Sequence, residues 1–527
     1  MSRCIGRHRA ALDSREHLDP ALRQDGLAAR LPLRVSVSLL VMLLAAAPAR
    51  AQCPDGTPPP CAGQRAAGPA RNSIAVLYFE NLSRDSGDVY LADGLTEELT
   101  ARLGQVERLV VTSRTATRRL RGVTTFSTAS LGRQLNAAYL VNGSVRHEGS
   151  RLRVNAELVR AGSGRLVWSQ QYDRTPSDLL ALQEEIAVAV ARGVTGQLLP
   201  AERARLVARP TRDPAAYDLY LRGRAAAVPS TESGLRRAID LYRGALAIDS
   251  TFARAWAGIA TVWYWLSDTY VPPLVAMRES RDAASRALAL DSGTADAWAA
   301  HGMALVALDY DFAGGVREMR RAVALDPRSP DAAVAFANVA CMLRPYQAEA
   351  LAAIERVIAE DPAEPQPQWQ RAVCLYYLRR YDDAIAQYRR MQALAPGFFF
   401  GDAWDAASWR EKGQLDSAEA AYRRAQRDTS QPAFGLALTL ARMGRADEAR
   451  RMLADFEAEA QRHYFPPTVL AVVRVALGDR DAAFADLERA FAGHDSVLWM
   501  LADSPEFEPL HGDPRYHDLL RRMHLEP

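Results

Sequence analysis

The segments "ALALDS" (287–292) and "AVALDP" (322–327) end 35 residues apart, and similar endings recur along the chain. "ALAIDS" closes at Ser250, "VIAEDP" at Pro362, "MQALAP" at Pro396 and "RRAQRDTS" at Ser430. From Ser250 the spacings are 42, 35, 35, 34 and 34 residues. Each ending closes a helix pair, and a sustained period near 34 is the tetratricopeptide signature. A generic helical bundle would not keep that phase over four units. The wider first spacing places an insertion around "DTYVPPLVAM" (268–277).

Working outward, the pattern predicts stacked helical hairpins over residues 213–500, about eight units in all, with degenerate ones at 215–250 and near 432–493. Trp256 and Trp298 open first helices. Ala260, Gly302 and Ala372 allow close helix approach, and Ala238, Ala384, Ala418 and Ala449 pack the second helices. Tyr242, Tyr388 and Tyr422 fill the gaps between neighbouring units. Residues 501–527 contain "DSPEFEPLHGDPRYHDLLRRMHL" and read as the cap that a solenoid end requires.

First helices of such arrays line a concave groove. Arg254, Tyr264, Trp369, Tyr376, Arg410 and Phe434 fall at groove-facing positions and are the candidate peptide contacts. Together they describe an apolar and aromatic groove suited to a hydrophobic or extended protein segment. The competing assignment is inter-repeat core. The basic pattern that grips a C-terminal carboxylate in some tetratricopeptide proteins is absent.

Upstream of the repeats, "SIAVLYF" (73–79) and "RLVVTS" (108–113) read as strands, with a helical stretch near 127–136. Three alternating runs between 138 and 174, separated by "EGS" and "AGSG", read as an antiparallel meander. "SDLLALQEEIAVAVARGVTGQL" (177–198) closes the unit as an amphipathic helix capped by Ser177 or Asp178. In "YLADGLTEELTARLG" (90–104), Leu91, Leu95, Leu99 and Leu103 make one helical face. Glu97 and Glu98 are expected to point away from it, and Asp93 to serve as N-cap. No histidine or cysteine lies in this helix, and the nearest downstream histidine is His147. Acid–base chemistry would need such support.

"IAVLYFENLSRDSGDVYLADGLTEELTARL", "LGRQLNAAYLVNGSVRHEGSRLRVNAELV", "GRLVWSQQYDR" and "LLALQEEIA" carry a resemblance over residues 73–198. This stretch resembles a bacterial domain related to FlgO and the TolB N-terminal domain. That domain precedes tetratricopeptide repeats in adenylate-cyclase-like and serine/threonine-kinase-associated proteins. The resemblance implies an α/β fold with a non-catalytic role in assembly or sensing, and it supplies no catalytic residue. The fold class is therefore α+β: a small α/β domain (73–200) followed by an all-α repeat solenoid.

Residues 1–51 form a leader. After Arg34 its apolar part, Val35–Ala51, is uncharged for 15 residues to Ala49, short of the ~20 a spanning helix needs. It reads as an export signal ending in "ARA" before Gln52, or alternatively as an uncleaved membrane anchor. Residues 52–72 are a Pro/Gly/Ala-rich linker. Within it Cys53 and Cys61 are a disulfide candidate in "CPDGTPPPC". Cys341 and Cys374 fall in apolar helical patterns and read as buried small hydrophobes.

A net charge of +2 argues against nucleic acid as a partner. Phosphate-loop, kinase, nucleophile-elbow and zinc-protease motifs are missing, so no catalytic, cofactor or metal residue is assigned. His511 and His517 read as capping-segment residues, and "RTATRRLRG" (114–122) as a solvated basic loop or helix end. The function expected is a non-enzymatic exported scaffold, periplasmic or in the cell envelope. It would bind a protein or peptide in the groove, with an envelope assembly as partner for the α/β domain. The alternative is a sensory or regulatory part of a cyclase- or kinase-type system lacking its catalytic domain. That form would be anchored in the inner membrane with residues 52–527 outside the cytoplasm.

Overall fold

The computed structural model describes residues 69–525, apart from 119, 123–125, 229–230, 268–269, 363, 396–402 and 430–433. The leader, most of the linker, and Cys53 and Cys61 lie outside the described residues.

The α/β domain is built on β1 (Ser73–Val76), whose four residues are all buried between helices. β1 runs parallel to β3 (Val110–Val111) on one side and β4 (Tyr139–Glu148) on the other, and the short β2 (Glu80–Asn81) also pairs with β4. From β4 the chain continues as the expected antiparallel meander through β5 (Arg151–Arg160) and β6 (Arg165–Arg174). Gly149 and Gly164 take φ of +61° and +64° at the two hairpin turns, a conformation that L side chains disfavour. The sheet order is β3-β1-β4-β5-β6.

One sheet face packs on α1 (Val89–Gly104) and α4 (Leu179–Thr195) through Leu91, Leu95, Leu99, Leu103, Ile186 and Val190. α2 (Arg114–Arg118) and α3 (Thr128–Gln134) flank the smaller cluster around Ala75, Leu135 and Leu140. α5 (Pro200–Leu206) leads toward the repeats.

One cap assignment changes and another is refined. α1 starts at Val89, so Asp93 lies within the helix and pairs with Arg121 at 2.8 Å. The first turn is held in place by Tyr90, whose hydroxyl donates to Asp218 at 2.6 Å. Before α4, Asp178 holds the N-cap position, one of the two expected, but its side chain makes no bond to the helix N–H groups. Instead Asp178 accepts from the Thr175 backbone N–H at 3.1 Å, closing a 3-10 turn over Pro176–Asp178.

Eight hairpins follow: α6/α7 (Pro214–Ala227, Glu232–Ile248), α8/α9 (Ala253–Leu266, Pro273–Leu290), α10/α11 (Ala295–Asp309, Phe312–Leu325) and α12/α13 (Pro330–Ala340, Gln347–Glu360). After these come α14/α15 (Pro365–Tyr377, Tyr381–Leu394), α16/α17 (Trp404–Glu411, Leu415–Thr429), α18/α19 (Phe434–Arg442, Ala446–Ala460) and α20/α21 (Pro467–Leu477, Arg480–Gly493). α22 (Pro514–Arg522) ends the described chain.

The recurring endings have a local cause. Asp249, Asp291, Asp326 and Asp361 each leave a second helix with extended φ, between −131° and −149°. The following first helix then often starts on proline, whose missing N–H costs nothing there. The insertion lies inside the second hairpin, whose α9 spans 18 residues.

Tyr242 shows how neighbours lock. Its ring fills the space that a Cβ on Gly223 or Gly258 would enter, at 2.6 and 2.8 Å. The same apolar cluster holds Leu95 of the α/β domain and Tyr217, Tyr220, Tyr242 and Phe252 of the first two hairpins. One core thus crosses from sheet to solenoid.

Candidate functional site

The face formed by the first helices meets two other parts of the same chain. One contact is made by the acidic pair of α1. The apolar stripe of α1 packs on the sheet, and its opposite side lies under arginines from the repeats. Glu98 is therefore buried, only 2 % exposed, contrary to its expected outward position. Arg254 of α8 reaches its Oε2 at 2.9 Å, and Arg102, one turn along α1, lies 2.8 Å from Oε1. Burial opposes ionisation of Glu98, but Arg254 and then Arg102 outweigh it and hold its carboxyl below the usual range.

Glu97 is likewise half-enclosed. It accepts from Arg118 at 2.7 Å, from the Tyr78 hydroxyl at 3.0 Å and from Arg224 of α6. Desolvation pushes its pKa upward, yet Arg224, Arg114 and Arg118 together bring it down to about 2. The pair is an ionised clasp and has no proton to exchange near neutral pH. Sequence periodicity missed this because the covering arginines lie 127 and 156 residues away.

The basic run at 114–122 belongs to the same contact. Arg114 meets Asp331 at 2.8 Å, and Arg121 meets Asp93. Ser113 donates to Asp361 at 3.1 Å. Asp331 opens α12, and Asp361 precedes α14. The α/β domain thus touches the N-terminal ends of several first helices.

The second contact is made by the C-terminal segment. Asp503 accepts from Arg344 at 2.8 Å and from Gln347 at 2.7 Å, both at the α12–α13 turn. Glu506 accepts from the Tyr376 hydroxyl at 2.9 Å and from Arg410 of α16. Arg410 is fully enclosed, with further bonds to Glu411 at 2.8 Å and the Tyr422 hydroxyl at 3.1 Å. Here too burial opposes the charge on Glu506, and Arg410 keeps it ionised.

Around these ions Leu498, Trp499, Leu501, Phe507 and Leu510 join one cluster with residues of α10 to α14 and α20. Phe491 stacks on Tyr310 with centroids 5.2 Å apart, and His494 Nδ1 lies 2.9 Å from the Ala307 carbonyl oxygen. The eighth hairpin therefore returns to the third. The C-terminal segment, expected as a cap, lies across hairpins far from it in sequence.

Of the groove candidates, Trp369, Tyr376 and Arg410 are buried inside this chain's own packing. Trp369 packs edge-on to Trp404 at 6.3 Å. Arg254 holds Glu98, and Tyr264 accepts from Asn338 at 2.9 Å. Arg254, Tyr264 and Phe434 keep partial exposure. The structure does not bring the six together into one open groove.

Cys341 and Cys374 are buried, but as a disulfide and not as separate thiols. Their separation of 33 residues, close to one repeat period, was the available signal: it places the two at neighbouring levels of adjacent first helices. His517 Nε2 lies 2.9 Å from the His511 carbonyl oxygen. No group of three metal-ligating side chains occurs among the described residues, nor any helix long and apolar enough to cross a membrane.

Residues 70–189 match the family model described as HilA/YgeH-like transcriptional regulator, second domain. That match falls where the FlgO/TolB-N-like domain was expected. A curated relative, "Putative adenylate cyclase 3" of Rhizobium meliloti (strain 1021), is 33% identical over 194 residues. The alignment covers 37% of this chain and 33% of the relative, so the chain spans about a third of that protein's length.

Among solved structures, YrrB, described as a TPR protein with an unusual peptide-binding site, aligns with TM-score 0.24 and 22% identity. That alignment covers 34% of this chain and 87% of YrrB. A tetratricopeptide repeat protein from Parabacteroides merdae ATCC 43184 aligns with TM-score 0.32 and 9% identity, over 59% of this chain and 99% of that one.

Proposed function

We propose that the protein is a non-enzymatic scaffold, exported to the periplasm or cell envelope, that binds a protein or peptide through its repeat array. The observation that carries this reading is Glu506 seated between Tyr376 and Arg410. First-helix residues Tyr376 and Arg410 hold an acidic, aromatic segment of polypeptide, the kind of ligand such arrays take. Arg254, Tyr264 and Phe434 are the positions through which a partner reaches the first-helix face. The FlgO/TolB-N-like resemblance supports an envelope assembly as the second partner, and Val35–Ala51 supports export.

Isolation of the full chain from envelope extract tests this, with the Tyr264→Ala/Phe434→Ala double variant alongside. A stoichiometric partner held by the wild type and lost from the variant is expected. Equal recovery with both, or none with either, overturns the reading.

A second reading is a membrane-anchored regulatory part of a cyclase-type signalling system. The similarity to the putative adenylate cyclase favours it. Cyclic AMP levels that change on deleting the gene, and recover with the full chain, would select it over the first.

A further inference from the structure

Cys341 ends α12 and Cys374 lies in α14, the first helices of the fourth and fifth hairpins. Their Cα atoms are 5.0 Å apart, a separation that a disulfide spans without backbone movement. Both residues are fully buried, in the same apolar cluster as Leu498, Leu501 and Phe507. The C-terminal segment is pinned beside each cysteine: Arg344 and Gln347 hold Asp503 just after Cys341, and Tyr376 holds Glu506 just after Cys374.

From this placement we infer that Cys341–Cys374 is a disulfide installed outside the cytoplasm before residues 495–525 close over it, and that the closed segment then shields it from reductants. The inference rests on the export half of the proposed function. Disulfides form and persist in oxidising compartments. The oxidant is a protein dithiol–disulfide oxidase. The thiolate of one cysteine attacks the oxidase disulfide, forming a mixed disulfide and releasing one oxidase thiolate. The second cysteine, deprotonated, attacks the mixed disulfide and frees the other oxidase sulfur. Two S–H bonds are lost, one S–S bond forms, and the oxidase takes up two electrons and two protons.

A sulfur enclosed on every side is not open to that attack. Hairpins four and five must therefore pair before the last residues dock. Synthesis and export from the N-terminus deliver the chain in that order.

The test uses the full chain, acid-quenched from cells, alkylated in denaturant, and mapped for the peptides carrying Cys341 and Cys374. A linked peptide pair without prior reduction is expected, and two alkylated thiols overturn the inference. A compartment reporter fused to the same chain separates the two claims. A reporter outside the cytoplasm with free thiols sinks the disulfide alone, whereas a linked pair with a cytoplasmic reporter sinks export and installation outside the cytoplasm.

Shielding is read from the rate of reduction in native buffer. Phe507→Ala and the milder Glu506→Gln, each checked for native circular dichroism, are expected to speed reduction about tenfold by easing local opening. Unchanged rates in folded variants overturn the shielding.

Discussion

Glu98 and Arg254 stand 2.9 Å apart, joining the first helix of the α/β domain to the first helix of the second hairpin. Glu98 is sealed and Arg254 is partly exposed. Removing the arginine leaves a buried carboxylate with Arg102 beside it and Arg224 further off. Arg254→Ala is expected to destabilise the chain by about 3 kcal/mol, as breaking a buried pair does. Urea unfolding reads this, and a loss under about 0.5 kcal/mol would mean the contact is incidental.

Glu97 makes the same boundary sensitive to acid. Its folded-state pKa lies at about 2, below the ordinary 4.5, so its ionised form stabilises the native state. That contribution is fully present above pH 4.5 and is lost as the pH falls toward 2. It amounts to about 3 kcal/mol. Glu97→Gln should flatten the stability profile across that window while leaving its shape above pH 5 unchanged. Parallel wild-type and variant profiles would contradict the assignment.

Arg410 and Glu506 are both enclosed, and each satisfies the other's charge. Arg410→Ala leaves Glu506 bonded only to neutral groups and is expected to cost about 3–5 kcal/mol. Hydrogen exchange should show the loss concentrated in residues 495–525 and in the α12–α13 turn, where Asp503 is held. Protection lost evenly over the whole chain would contradict the local role of the pair.

The disulfide closes a loop spanning 33 positions. On the chain-entropy estimate its removal costs about 3–4 kcal/mol. The Cys341→Ala/Cys374→Ala double variant should lose that much in denaturant unfolding. It should also become indifferent to reductant, which the wild type in denaturant is not.

Much of the architecture was legible because it is local. The "ALALDS"-type endings recur where an aspartate turns the chain out of a helix, and that is a short-range event. The meander was readable from alternation, and its turns from Gly149 and Gly164. What stayed hidden depends on distant partners. Glu97 and Glu98 look like a solvated helix face until Arg224 and Arg254 arrive from the repeats. Asp93 looks like a cap until Tyr90 fixes an earlier helix start. Tyr376 and Arg410 sit at groove positions by phase, yet the chain's own Glu506 occupies them. Phase gives a residue's side of a helix and cannot reveal what returns to cover it.

The protein-binding role is tested most directly by photo-crosslinking in living cells, with the crosslinker placed at position 264 or 434 of the full chain. Both positions keep partial exposure on the first-helix face. A discrete adduct with a second polypeptide, identified by mass spectrometry at both positions, is the outcome the scaffold role requires. Crosslinks found only within the chain itself would contradict it.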